Sequence, residues 1–241
     1  MTTIGVIPAR LGSTRFPGKV LADIAGKSMI QHVWDGAKKS KLLDDLIIAC
    51  DDEKILKVAK SFGAKAVLTS GDHSSGSDRI AEAVENLDVD IIVNIQADEP
   101  FIQPSVIDHL VEVLKSDASS VMATVVKIIE NPEDCQNPNV VKVVLDDQKN
   151  ALYFSRSLIP YNRGKEKIAY YKHLGIYAYR KDFLFKFKNL PKSNLEKIEQ
   201  LEQLRVLEAG YKIKTVLTDV DSIGVDTPED LERVKSFLKG K

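Results

Sequence analysis

A chain of 241 residues with 44% hydrophobic and 29% charged content has the length of one large domain and enough apolar material to bury a core. Its formal net charge of −1 excludes a general attraction to nucleic acid or to an anionic membrane surface, so neither is expected as a partner. No apolar run approaches the ~20 residues that span a bilayer, the N-terminus lacks a signal-peptide pattern, and two cysteines, Cys50 and Cys135, are too few for a disulfide framework; the cytoplasm is the expected location.

The first predicted element is a short apolar strand at 4–7. It runs into IPARLGSTRFPGK, a loop with three cations (Arg10, Arg15, Lys19), two hydroxyls (Ser13, Thr14), two glycines and two prolines. Such a loop suits a local anion: glycine and proline shape the backbone, arginine offers forked donors and lysine a point charge. It matches neither a Walker loop nor a dinucleotide fingerprint. The alternative is a solvated surface loop, which would have little use for so much proline and glycine.

Strand candidates then recur at 46–50, 64–68, 91–95 and 121–126, short and continuously apolar as in strands buried on both faces of a mostly parallel sheet. Helical patterns lie between them at 29–40, 53–62, 78–87 and 104–116; in the last, Val106, Leu110, Val113 and Leu114 share one face. The alternation predicts an α/β fold: an open, mostly parallel (mixed) sheet flanked by helices. Ligands of such sheets sit at the carboxyl ends of the strands. Two further polar clusters follow strands there. TSGDHSSGSDR (69–79) leads into a helix, with Ser77 as an alternative plain cap. NIQADEP (94–100) ends a strand with Asp98 and Glu99, which suit a hard divalent cation or a simple turn.

The second half reads differently. Strands are predicted at 140–145 and 151–154, a polar stretch at 161–170, a strand at 174–179, a helix at 181–187, two helical segments within 193–210 and a last strand at 212–217. GVDTPED (224–230) opens the final helix: Thr227, Glu229 and Asp230 fit capping and dipole roles, which leaves Asp226 outside the helix as a candidate ligand. We read 1–241 as a single domain with an inserted β-rich subregion at about 127–180, a candidate dimerisation surface. Chemistry alone does not separate Arg156, His173, Tyr177, Glu202 and Gln203 from core aromatics and surface charges.

Together, IPARLGSTRFPGK, SSGSDR, QADEP, ALYFSRSLIP, HLGIYAYR, LEQLR and GVDTPED resemble the 3-deoxy-manno-octulosonate cytidylyltransferase (CMP-Kdo synthetase) family, over about 4–238. The resemblance implies a nucleotide-diphosphosugar transferase fold, a homodimer, Mg2+, and the reaction of CTP with Kdo to give CMP-Kdo and pyrophosphate for lipopolysaccharide biosynthesis. It implies that Arg10, Arg15 and Lys19 hold the phosphates with Ser13 and Thr14 nearby. Thr69, Ser70, Ser75, Gly76 and Arg79 would lie against the cytidine. Asp98 and Asp226 would ligate the metal and, with Arg10 and Lys19, carry the catalysis. Gln96, Arg156, His173, Tyr177, Glu202 and Gln203 would surround the sugar acid, with Arg156 on its carboxylate. The sequence departs from the family at Ala97, where glycine is common, and at Ser28, where proline is. Ala97 bears on which sugar is accepted: 8-amino-Kdo or a sialic acid are the rival substrates. A glycosyltransferase would carry an Asp-x-Asp motif in place of adjacent acids, and a non-catalytic CTP-binding regulator would have no need of Asp226.

Overall fold

The computed structural model describes residues 1–12, 16–73, 75–221 and 223–239. Its contacts divide the chain into two units, Met1–Asp108 with Ser222–Lys241, and His109–Asp221. Among the described residues no helix is long and apolar enough to cross a membrane.

The first unit begins with β1 (Thr3–Ala9), whose residues are almost all buried. A hairpin follows, β2 (Asp23–Ile24) and β3 (Lys27–Ser28), turned by Ala25 and Gly26 with φ of 53° and 84°. Two successive positive-φ residues are what a tight two-residue hairpin requires. Helix α1 (Met29–Ala37) buries Met29, Ile30, Val33, Trp34 and Ala37. Next come β4 (Asp45–Cys50), α2 (Glu53–Ser61), β5 (Ala66–Leu68), α3 (Gly76–Val84) and β6 (Ile91–Asn94). β1 pairs in parallel with β4 and β6, and β4 with β5. The order β6-β1-β4-β5 puts the ends of β1, β4, β5 and β6 on one edge. Ser75, not Ser77, caps α3: its side chain accepts from the Asp78 N–H, while Ser77 lies buried one residue inside the helix.

Helix α4 (Pro104–Ser116) carries the division between the units. The second unit holds β7 (Met122–Ile128), a short helix α5 (Pro132–Gln136), β8 (Lys142–Leu145), β9 (Ala151–Ser155) and β10 (Tyr171–Arg180). Helices α6 (Lys181–Lys188), α7 (Asn194–Glu199) and α8 (Leu204–Glu208) and strand β11 (Ile213–Leu217) follow. β11 runs parallel to β7, β10 antiparallel to β7 and β8, and β8 antiparallel to β9. The β-rich region expected at 127–180 lies within this unit. With its mixed pairing and flanking helices, the α/β fold has the sheet character read from the sequence.

After Asp221 the chain returns to the first unit. Helix α9 (Pro228–Lys239) buries Leu231 and Val234 against Ile24, Met29 and Val225, with Phe16, Ala22, Phe101 and Ile223 packed around them. That apolar cluster is what fixes Asp226, which lies between Val225 and the helix.

Candidate functional site

In the first unit, the cationic loop leaves β1 at Ala9. Gly18, at φ 70°, donates its N–H to the Leu11 carbonyl at 3.0 Å and closes the loop on itself. A left-handed residue is cheapest as glycine, and it starts a 3-10 turn over Lys19–Leu21 that turns Lys19 inward. The Lys19 ammonium donates to Asp98 Oδ2 at 2.6 Å, to Asp226 Oδ1 at 3.0 Å and to the Val225 carbonyl at 3.1 Å. The Val225 N–H in turn donates to the Asp98 carbonyl at 2.9 Å. Three chain segments far apart in sequence thus meet at one cation. Burial opposes the charge on Lys19, but Asp98, then Asp226, outweigh it and raise its pKa.

A cavity of about 300 Å³ opens beside this cluster, lined by Arg10, Lys19, Ser75, Gly76, Arg79, Gln96, Ala97 and Asp98. Residues proposed for phosphates, cytidine and sugar share these walls. Ser13, Thr14 and Arg15 lie outside the described residues. Thr69 and Ser70 take part indirectly. Arg79 is only 3% exposed; it donates to Thr69 Oγ at 2.6 Å, to the Ser70 carbonyl at 3.1 Å and to Asp51 Oδ2 at 3.3 Å. Asp51 also accepts the Leu11 N–H at 2.9 Å, tying the cationic loop to Arg79. Sequence reasoning missed Asp51; the signal was an acid directly behind β4, on the edge where the other polar clusters lie. His73 pairs with Glu82, which also accepts the Ser70 N–H at 3.1 Å. Although burial pulls the other way, the His73 bond lowers the pKa of Glu82.

Ala97 is 6% exposed and lies in the cavity wall. Its backbone is not left-handed: among the described residues the positive-φ positions other than glycine are Ala25, Lys149, Lys165 and Gln200. Alanine therefore costs no left-handed torsional strain there.

Arg156, His173, Tyr177, Glu202 and Gln203 belong to the second unit, Gln96 to the first. The Arg156 guanidinium spans backbone carbonyls, those of Glu199 at 2.8 Å, Pro138 at 3.0 Å and Gln200 at 3.4 Å. The Glu199 carboxylate accepts from the Arg156 N–H at 2.9 Å and from Ser155 Oγ at 2.7 Å, so Glu199 sets the place of Arg156 from both sides. His173 packs edge-on to Phe154, ring centroids 4.9 Å apart, and lies 5.4 Å from Tyr177. Gln203, at 3% exposure, reaches both: its Nε2 stands 3.5 Å from His173 Nδ1, and its Oε1 accepts from the Tyr177 hydroxyl at 3.3 Å. Burial drives the His173 pKa down to about 3 and the Tyr177 pKa well above its usual value. Glu202 is half-buried beside Gln203, ahead of α8.

Two carboxylates and a carbonyl already surround a positive charge at Lys19. This all-oxygen set suits a hard divalent cation better than a soft one. With only two carboxylates, such an ion would draw its remaining ligands from water or phosphate. Among the described residues no group of three or more His, Cys, Asp or Glu is arranged to hold a metal by itself.

Residues 4–213 match the family model described as cytidylyltransferase. The chain is 52% identical to the 3-deoxy-manno-octulosonate cytidylyltransferase of Solibacter usitatus, over 98% of this chain and 94% of that one. It is 51% identical to the protein of the same name from Thermodesulfovibrio yellowstonii, over 99% and 98%. The solved structure of CMP:2-keto-3-deoxy-manno-octonic acid synthetase complexed with CTP superposes with a TM-score of 0.96 at 43% identity, covering 100% of this chain and 99% of that one.

Proposed function

The chain belongs to the cytidylyltransferase family, and from that premise we propose that it transfers the cytidylyl group of CTP to Kdo, releasing pyrophosphate and yielding CMP-Kdo for lipopolysaccharide biosynthesis. The observation that carries this reading is the meeting of Lys19, Asp98 and Asp226 at the wall of a cavity that Arg10, Ser75, Gly76 and Arg79 also line. A cation next to paired carboxylates at the strand-end edge is what a nucleoside triphosphate and its counter-ion need.

The anomeric hydroxyl oxygen of Kdo attacks the α-phosphorus. The new O–P bond forms as the bond from that phosphorus to the pyrophosphate oxygen breaks, and the hydroxyl proton leaves to solvent. Arg10 and Lys19 offset charge on the triphosphate as it builds on the departing group. Arg79, fixed by Asp51 and Thr69, holds the wall on the cytidine side. His173 accepts protons too weakly, with a pKa of about 3, to act as the base. Arg156, with His173, Tyr177, Glu202 and Gln203, orients the sugar acid. Asp98 and Asp226 would hold Mg2+, which when bound lowers the pKa of a coordinated hydroxyl and neutralises phosphate charge. The enzyme works as a homodimer in the cytoplasm on this reading.

The test is one incubation of the protein with CTP, Mg2+ and a panel of Kdo, 8-amino-Kdo and a sialic acid, scored by pyrophosphate release. Kdo is expected to give the highest kcat/KM; release with another acid but not with Kdo would overturn the assignment.

A further inference from the structure

Thr124 lies in β7, fully buried, and nothing in its sequence context marks it. It stands opposite Tyr177 of β10, where the ladder slips: Leu174 pairs with Val125 and Tyr177 with Thr124, so Gly175 and Ile176 have no register partner in β7. Such a bulge re-aims the backbone locally. Here it presents carbonyls to a side chain. Thr124 Oγ donates to the Ile176 carbonyl at 2.8 Å, with the Leu174 carbonyl at 3.4 Å as its other acceptor, and lies 2.9 Å from His173 Nε2.

These contacts have one consistent direction. A hydroxyl has a single proton, and carbonyls only accept. The Thr124 proton is therefore committed to the bulge, and its oxygen accepts from His173. Nε2 then carries the ring proton and Nδ1 the lone pair, a tautomer fixed by the network around it. Nδ1 faces the Gln203 amide nitrogen, so the amide oxygen is turned to Tyr177, whose hydroxyl donates to it. The low basicity of the ring keeps it singly protonated at neutral pH.

We propose that Thr124 is a positioning residue that sets the hydrogen-bond polarity of the sugar-acid residues: His173 as the Nε2–H tautomer, Gln203 with its nitrogen toward the ring and its oxygen toward Tyr177. The substrate hydroxyls then meet a fixed pattern of donors and acceptors. The identity of that substrate rests on the function proposed above; the pattern itself does not. Replacing Thr124 by valine removes the oxygen that accepts from Nε2–H. The Nδ1–H tautomer then becomes available, Gln203 must turn over to meet it, and Tyr177 loses its acceptor.

The experiment is 15N NMR of the histidine side chains in the wild type, Thr124→Val and Thr124→Ser, with the His173 signals assigned by their loss in His173→Gln. Kinetics with CTP and Kdo run alongside. The wild type and Thr124→Ser are expected to show His173 protonated at Nε2, and Thr124→Val a shift toward Nδ1–H. KM for Kdo is expected to rise about tenfold in Thr124→Val, the effect of one misdirected hydrogen bond, with KM for CTP unchanged, whereas Thr124→Ser is expected to keep the wild-type KM for Kdo. A wild-type ring protonated at Nδ1 overturns the proposal, whether or not the valine variant folds. So does a folded Thr124→Val enzyme whose KM for Kdo matches the wild type. A wild type that shows Nε2–H but makes no CMP-Kdo overturns the substrate reading and leaves the hydrogen-bond assignment standing.

Discussion

Lys19 sits on three oxygens, one from Asp98 behind β6 and two from the adjacent Val225 and Asp226 ahead of α9, so its charge is both satisfied and aimed. Asp98→Asn keeps the size of that side chain and removes its charge, leaving Lys19 with Asp226 and the Val225 carbonyl. Turnover is expected to fall by roughly 10²–10³, the usual loss when one electrostatic element of a polar transition state is removed. Pyrophosphate release measured across a Mg2+ titration checks it, and recovery of wild-type turnover at saturating Mg2+ would remove Asp98 from the metal's ligands. Much of this site was legible in the chain, since cations packed between prolines and glycines, and acids behind apolar runs, are unusual for a surface. Thr124 and Glu199 were not legible. Each acts by positioning another side chain, and nothing local distinguishes a threonine inside a strand that bonds a histidine from one that simply favours strand geometry.

At the level of elements, the buried strands announced themselves by continuous β-branched runs, whereas three features did not. The β2–β3 hairpin has two-residue strands, too short for any period. Helix α5 spans Pro132–Gln136, one turn and a half, capped by Asn131. β10 runs for ten residues, and a bulge interrupts its alternation. The hairpin carries a testable consequence. Ser28 has φ −67°, close to the value proline imposes. The Met29 N–H bonds the Ala22 carbonyl at 2.9 Å, which makes Asp23–Ser28 a non-hydrogen-bonded pair and frees the Ser28 N–H from the ladder. Its Oγ is buried with no hydrogen-bond partner among the described residues. Ser28→Pro is therefore expected to stabilise the protein by about 0.4–1 kcal/mol, mainly by restricting the unfolded chain. Urea denaturation reads this as a higher midpoint at unchanged m-value; a lower midpoint would mean that the serine N–H has a partner.

For the whole molecule, near-neutral charge hides a division of labour. Residues assigned to CTP lie in the first unit, and most of those assigned to the sugar acid in the second. Hydrogen exchange should separate them: CTP with Mg2+ is expected to slow exchange in peptides covering Arg10, Arg79 and Asp98, and Kdo in those covering His173, Tyr177 and Gln203. Protection by Kdo confined to the first unit would reassign the sugar residues. The alternation of strands and helices made the first unit's architecture readable from the sequence. The return of the chain to it after Asp221 was not readable, because it depends on an apolar cluster of Ile24, Met29, Val225, Leu231 and Val234 joined across most of the sequence. That return has a consequence for synthesis. The ribosome delivers Lys19 and Asp98 early, but Asp226 only after the whole second unit has been translated. On the proposed reading the nascent protein thus stays unarmed until that segment emerges, and a message cut short between Asp98 and Asp226 yields a product with half of its carboxylate pair.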